Sequence, residues 1–411
     1  MSFILNNQIQ FADSPNLDAF GRLRVSEPLG LFASTHIFDS GYTYYETFLS
    51  GGTITYNSNK SEVQFNVTAN GNRVLREQHG YNYYQPGKSQ LVLLTGVFGN
   101  KTALTTKRMG YFNDGDGLFF QLSGTTFGAV LRTSTSGAPV DTFIPQSDWN
   151  LDTLDTGNTL NPSGIHLDVS KTNIFVIEFQ WLGVGRVIFA LDIDGAIIPV
   201  HQILNANNKT EVYMKTGNLP VRYEVLSQGG SDSTFKQICS SVISEGGFAP
   251  LEYTSTISNG LTTKTFSTRQ SVLSLRLSSL FNSKVNRTIV QPLITEIATT
   301  TGTVNGYWEL VLQRGYLGET NLGGSPTWIQ LSGSPIDYSV NGTTITGGTV
   351  IDSGYLISTT QAGVKSTLVE IQNKFLLSLD YSGTSSDYLH LVVTPSTSSS
   401  WAGKLTVRTL Y

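Results

Sequence analysis

The chain has a single cysteine, Cys239, among 411 residues, so no intrachain disulfide framework can form. Cys239 lies in the alternating stretch Lys236–Ile243, where a thiol reads as buried and inert. Charge is scarce too. Asp, Glu, Lys and Arg make up 14% of the residues, against roughly 25% in an ordinary globular protein. The net charge is −4, and Lys107-Arg108 and Arg22/Arg24 are only local pairs. No basic stripe is present to displace counterions, so no nucleic-acid partner is expected. No apolar run reaches the ~18 residues of a membrane-spanning helix, so no membrane partner is expected. The start, MSFILNNQIQFADS, has no basic n-region or long h-region and does not read as a signal peptide.

Catalytic and metal-binding patterns are missing as well. His36, His79, His166, His201 and His390 are scattered singly, without the HxH or HxxxH spacing of a transition-metal site. There is no GxSxG elbow, P-loop or dinucleotide fingerprint, and Gly183-Val184-Gly185 is followed by no helical pattern. Asp114-Gly115-Asp116-Gly117 places alternating carboxylates on a turn, which makes Asp114 and Asp116 weak calcium candidates. The closing Glu of a calcium loop is absent, and a hairpin turn is the favoured reading. Asp152 and Asp155 take the same discount. Glu178 and Asp192 are the one carboxylate pair on neighbouring strands that invites a glycosidase reading. Their surroundings lack the density of Trp, Tyr and acids of a sugar-cleaving groove. Neither a cofactor nor an enzymatic activity is expected.

What the chain has in abundance is turns and short strands. Gly accounts for 41 residues, and Ser, Thr and Asn fill much of the remaining polar surface. Sequons at Asn66, Asn100, Asn208, Asn286 and Asn341 fit chance in such a composition. Thr53–Tyr56, Glu62–Val67, Leu91–Phe98, Arg108–Asn113, Gly117–Leu122 and Phe127–Thr133 are short, β-branched or aromatic, and bounded by turn residues. Two further runs meet at Asp194-Gly195, which supplies the positive-φ pair of a type I′ turn. Gln237–Ile243 is expected to close the sheet. Pro145–Pro162 is the longest irregular stretch, anchored by Trp149 and Leu151. A boundary is expected at Glu245–Pro250, followed by a hairpin around Asn259-Gly260 and a second set of strands. Only Val364–Leu379 offers a helical alternative. The expected fold is all-β. A jelly roll over 41–250 follows an extended N-terminal arm over 1–40, and a second antiparallel β-sandwich occupies 251–411.

Two groups of residues suggest contacts. The arm carries Arg22, Arg24, Leu29 and Phe32, candidates for docking on a neighbouring subunit. Tyr42, Tyr44 and Tyr45, then Tyr81, Tyr83 and Tyr84, cluster beside loops. Rings such as those of Tyr42, Tyr44, Tyr83 and Tyr84 can stack on sugar faces, although interfaces and cores use Tyr more often.

Several strings are specific. DAFGRLRVSEPLGLFAS (Asp18–Ser34), IFVIEFQWLGVGRVIFAL (Ile174–Leu191) and YMKTGNLPVRYEV (Tyr213–Val225) resemble a family of tailed-bacteriophage virion structural proteins. SVLSLRL (Ser271–Leu277), GYWELVL (Gly306–Leu312) and SSDYLHLVV (Ser385–Val393) resemble its second half. The resemblance implies a concanavalin/laminin-G-like jelly roll followed by a β-sandwich, carried on the particle as a head-decoration, neck or tail component. It implies other virion proteins as partners, assembly in the bacterial host cytoplasm and a place in the virion. A homotrimer or another homo-oligomer is expected. The alternative is a glycan- or receptor-binding module for host attachment, and a polysaccharide depolymerase stands third.

Overall fold

The computed structural model describes the chain except residues 1–16, 26, 42, 248–252, 261, 316–317, 320, 358–362, 369–374 and 411, and the side chains of Tyr45 and Leu49. It separates into two compact units, Met1–Ala249 and Pro250–Tyr411. Both are built almost wholly of antiparallel strands. The described helical structure in the first is one 3-10 turn, Gln146–Asp148.

Alternation of apolar and polar residues builds the first unit. Its strands are β1 (Leu29–Ser34), β2 (Tyr44–Leu49), β3 (Thr53–Asn57), β4 (Glu62–Asn66), β5 (Arg73–Gln78), β6 (Gln90–Val97), β7 (Thr105–Phe112) and β8 (Gly117–Ser123). They continue as β9 (Thr126–Thr133), β10 (Val140–Pro145), β11 (Asn173–Phe179), β12 (Val187–Ile193), β13 (Ala196–Ile203), β14 (Val221–Ser227) and β15 (Lys236–Ser244). One sheet runs β13-β12-β11-β6-β15-β4-β3, with β1 added to β15. The facing sheet runs β10-β9-β8-β7-β14-β5-β2. Asp194 and Gly195 have φ of 55° and 84°, the pair of positive angles that a type I′ hairpin between β12 and β13 requires.

The core between the sheets is aromatic. Phe120 of β8 meets Phe175 of β11 at 5.0 Å and Phe189 of β12 at 5.3 Å between ring centroids. Trp149, buried to 1% exposure, pins the irregular segment after β10 against this core. A charged pair is sealed into the same unit. Lys107 points inward from β7 and is fully buried, and its Nζ lies 2.6 Å from Asp232 Oδ2. The ammonium also donates to the carbonyls of Phe98 (2.9 Å) and Asn100 (2.7 Å). Burial opposes the charge on Asp232, but hydrogen bonds from Lys107 and Thr102 outweigh it and hold the carboxyl below its usual range.

Three expectations need correction. Leu29–Ser34, assigned to an extended arm, is a sheet strand, pairing Leu29 with Ser244 and Ser34 with Ser240. The Gln237–Ile243 strand does not close its sheet. It lies inside it, bonded to β6, β4 and β1. No hairpin forms around Asn259-Gly260: Tyr253–Ser258 and Lys264–Phe266 both pair with Ser399–Leu410. Asn259 explains this, because its side chain accepts from Gly403 N (2.8 Å) and donates to Trp401 O (3.2 Å).

The second unit is also a sandwich. One sheet orders Tyr253–Ser258, Ser399–Leu410, Ile289–Thr299 and Gly363–Thr367. The other orders Ile329–Gln330, Ile336–Ser339, Gln270–Leu277, Tyr388–Pro395, Asn305–Gln313 and Thr349–Ile357. The described part of Val364–Leu379 contains the strand Gly363–Thr367 in place of a helix. Trp308, Trp401, Leu275, Leu391 and Val407 fill the core. His390 is fully buried, its ring nitrogens 2.7 Å from Ser274 Oγ and 3.0 Å from Gln313 Oε1. Burial, aided by the charge of Arg269, pushes its pKa down to about 3.

Two outcomes follow from these buried polar groups. Lys107→Met strands Asp232 in the interior and should cost about 3–5 kcal/mol in urea unfolding, whereas Lys107→Met/Asp232→Leu should recover part of that loss. His390 stays neutral when folded and takes a proton when unfolded. Its contribution is therefore complete above pH ~6.5 and declines as pH falls toward ~3, by up to about 1.4 kcal/mol per pH unit. Melting curves of wild type and His390→Gln between those limits should converge at the acid end.

Candidate functional site

Because Tyr111, Tyr223 and Val225 face the core, their strand neighbours Phe112, Arg222 and Glu224 face the opposite side of the second sheet. The outer face so formed gathers charged and aromatic side chains from several strands. Arg222 is 1% exposed and Glu224 2% exposed. The Arg222 guanidinium reaches Glu77 (3.2 Å), Asp114 (2.8 Å) and Glu224 (3.4 Å). Glu224 is also met by Arg73 at 2.6 Å and by Arg108 at 3.6 Å. On the far side Arg132 binds Asp141 through two bonds of 2.7 and 2.9 Å and donates to the Asn113 carbonyl.

Aromatic rings support this network from below. Phe112 and Phe119 lie 4.3 Å apart, a spacing allowed by Gly110, where a Cβ would come within 2.3 Å of Phe119 Cβ. Arg222 and Arg132 cover the Phe112 ring at 5.1 and 5.6 Å, and Arg132 and Arg108 cover Phe119 at 5.2 and 5.6 Å. Such stacking suits the flat, weakly hydrated guanidinium. Burial alone would raise the Glu224 pKa, yet Arg222, Arg73 and Arg108 together hold it at about 2. A carboxylate so strongly ionised has no proton to give as a general acid. Rings covered by guanidinium groups also offer no free face to a sugar.

The residues singled out from sequence are distributed differently. Asp114 is engaged by Arg222 and Arg73. Asp116, nearly buried, accepts from the Ser134 amide and hydroxyl and from Lys215 N. The two do not converge on one point, and among the described residues no cluster of three His, Cys, Asp or Glu side chains has metal-binding geometry. Asp152 accepts from Leu154 N and Ser163 N, and Asp155 accepts from Gly157 N. Burial pushes the Cys239 thiol pKa up.

Glu178 and Asp192 share the outer face of the first sheet, but Asp192 stands opposite Ile174, four positions along β11 from Glu178. That offset is roughly 13 Å at ~3.3 Å per residue, beyond the ~5–9.5 Å of paired glycosidase carboxylates. Glu178 is occupied by Arg24 and Ser89.

The tyrosines offered as sugar platforms lie inside. Tyr44, Tyr83 and Tyr84 are buried, and Tyr42 falls outside the described residues. Tyr84 stacks on Phe179 at 5.8 Å and its hydroxyl accepts from Trp181 N. Tyr44 lies under the Arg76 guanidinium at 4.5 Å and donates to Ser240 Oγ. Burial raises the pKa of both phenols to about 12. Of the docking candidates, Arg22 pairs with Asp18, Arg24 with Glu178 and Glu245, and Phe32 packs edge-on against Tyr44. Leu29 is half-buried in β1.

Sequence reasoning missed the Arg222 network. Its signal was present in VRYEV, where charges alternate with apolar residues inside a buried strand.

No family model matches the chain, and no curated protein matches it. Solved structures similar to it include the Emp47p carbohydrate recognition domain, at 9% identity and TM-score 0.34 over 54% of this chain and 98% of that one. A legume lectin-like domain from Entamoeba histolytica matches at 9% identity and TM-score 0.33, over 53% of this chain and 98% of that one. A glycoside hydrolase family protein from Mycobacterium thermorestibile matches at 12% identity and TM-score 0.34, over 52% and 99%. At these values none of them indicates a ligand or an activity for this chain. By its own sheets, the first unit is a concanavalin-like jelly roll, and the second is an antiparallel β-sandwich.

Removing the central guanidinium tests the network. Arg222→Gln should raise the Glu224 pKa, visible by carboxyl-carbon NMR titration, and lower stability at pH 7 by about 3–5 kcal/mol. In the wild type this carboxylate contributes above pH ~4.5, and its contribution is lost as pH falls toward ~2.

Proposed function

We propose that this chain is a non-enzymatic building block of a tailed-bacteriophage particle, assembled in the host cytoplasm and retained in the virion. The observation that carries the reading is the use made of the strings that resemble virion structural proteins. Their distinctive side chains build the two sandwiches. Arg24 joins Glu178 and Glu245. Trp181 donates from Nε1 to Met214 O at 3.1 Å, and Tyr213 donates to Gln180 O at 3.2 Å. Tyr223 meets Ser240 Oγ at 2.6 Å, Trp308 is buried, and His390 joins two strands. Low charge supports the same reading, since neutral polar surface costs less to dehydrate at a contact between subunits than Lys or Glu.

Recognition of a host glycan by the jelly roll has less support. Tyr44, Tyr83 and Tyr84 are buried, and the outer-face phenylalanines lie under arginines. Hydrolysis has less still, because Glu178, Glu77 and Glu224 are ion-paired and Asp192 lies too far along the sheet from Glu178 to act with it.

Mass spectrometry of nuclease-treated, gradient-purified particles from a producing culture should find the chain in stoichiometric amount. Recovery only from the particle-free lysate would overturn the proposal. A glycan array that retains the purified chain on specific sugars would favour host attachment instead.

A further inference from the structure

His36 lies just beyond β1 and is 1% exposed, although its neighbours Thr35 and Ile37 face solvent. Three of its polar atoms join three strands. Nδ1 meets the Ile238 carbonyl of β15, and Nε2 lies 3.3 Å from the Arg76 guanidinium of β5. The His36 backbone carbonyl accepts from the Tyr56 hydroxyl of β3 at 2.9 Å. Strands β15 and β3 belong to one sheet and β5 to the other, so this residue ties the two sheets together.

The partners fix the tautomer. Arginine can only donate, so Nε2 accepts, and a carbonyl can only accept, so the proton sits on Nδ1. The neutral ring satisfies both. An imidazolium satisfies one, because its second N–H would point at a guanidinium N–H, cation against cation. Arg76 is held in place. It is 1% exposed, donates from Nε to Gln237 Oε1 at 2.8 Å, pairs with Glu46 and covers the Tyr44 ring at 4.5 Å.

The other titratable groups around the ring leave this conflict standing. Glu46 of β2 is engaged by Arg76. Burial keeps the phenols of Tyr44 on β2 and Tyr223 on β14 neutral, and the Cys239 thiol of β15 as well. Asp39 favours the imidazolium, but its side chain is exposed and accepts from Gly41 N at 2.6 Å. Burial, together with the charge of Arg76, outweighs Asp39 and the Ile238 carbonyl and holds the His36 pKa below its usual value.

Beyond His36 the chain is exposed at Ile37, Phe38 and Asp39, with Phe38 at 91%. It then closes back over the polar group at Gly41. A Cβ there would lie 3.3 Å from the Arg76 guanidinium and 3.5 Å from both His36 Nε2 and Ser34 Oγ.

We propose that protonating His36 frees Thr35–Gly41 from the jelly roll, an acid-operated latch at the end of β1. In the freed segment His36 takes up a proton near its usual ~6.5, whereas the closed ring does so only at lower pH. Opening is therefore independent of pH above ~6.5. Below it, opening grows by up to about tenfold per pH unit until the closed ring is itself protonated.

Ser34→Cys in a Cys239→Ser background reports the opening in the full chain, since Ser34 is buried beneath Gly41. Its labelling by a dipyridyl disulfide, a reagent that works at acid pH, is divided at each pH by the rate for the urea-unfolded chain. Between about pH 6.5 and 5 the ratio should rise by up to about tenfold per pH unit. With His36→Gln added, which can donate and accept but not titrate, the rise should vanish. Val92→Cys, at a fully buried position on β6, should stay protected throughout. A ratio flat with pH, an equal rise in His36→Gln, or an equal rise at Val92→Cys would each overturn the proposal. If a variant fails to fold, NMR titration of the His36 imidazole in the wild type decides. A midpoint below ~6.5 with Ile37 and Phe38 signals shifting alongside supports the latch, and a midpoint at or above ~6.5, or unmoved signals, would sink it.

Discussion

The second sheet of the jelly roll depends on one guanidinium. Arg222 lies on β14, between β7 and β5, with Glu77, Asp114 and Glu224 around it and the Phe112 ring beneath. Without that cation, Glu77 and Glu224 would stay buried beside the half-exposed Asp114 with less positive charge to offset their desolvation. With it, the sheet acquires a rigid outer layer of alternating charge. The aromatic core beneath can then be close-packed because the face above it is fixed.

A low overall charge and a high concentration of charge at this point are two aspects of one design. The chain places much of its small stock of Arg and Glu where each ion is paired, and leaves its wide surface to Ser, Thr, Asn and Gly. Lys107 and Asp232 repeat the arrangement between the sheets, and Arg24 repeats it at the N-terminal loop. Groups held this way are poor catalysts, since their protons are fixed by partners, but they fix the relative positions of strands far apart in sequence.

Much of this architecture was legible in the amino acids. Strand positions followed from alternation, and Asp194-Gly195 marked its hairpin because few other dipeptides accept two positive φ angles. Pairing was harder to read. Nothing local in Gln237–Ile243 says that it bonds to three other strands, and Asn259-Gly260 looks like a hairpin until Asn259 is found holding Trp401 and Gly403. The tyrosines misled for a similar reason. Loop-flanked clusters look alike whether the rings face water or, as Tyr83 and Tyr84 do, the core. The outer-face network was written into VRYEV as charge alternating with apolar residues, but its meaning required strands from elsewhere to supply the opposite charges.

The pairing of Leu29–Ser34 with Lys236–Ser244 also has a temporal consequence. On a ribosome, the early strand must wait for about 200 further residues to be made, roughly 10–40 s at ordinary rates of ~5–20 residues per second. Throughout that interval Leu-Gly-Leu-Phe-Ala-Ser has an unsatisfied backbone edge and no charge of its own to discourage unwanted pairing. In the second unit Tyr253–Ser258 and Ile289–Thr299 wait in the same way for Ser399–Leu410. In each unit, one of the two sheets thus stays incomplete until its latest strand is made.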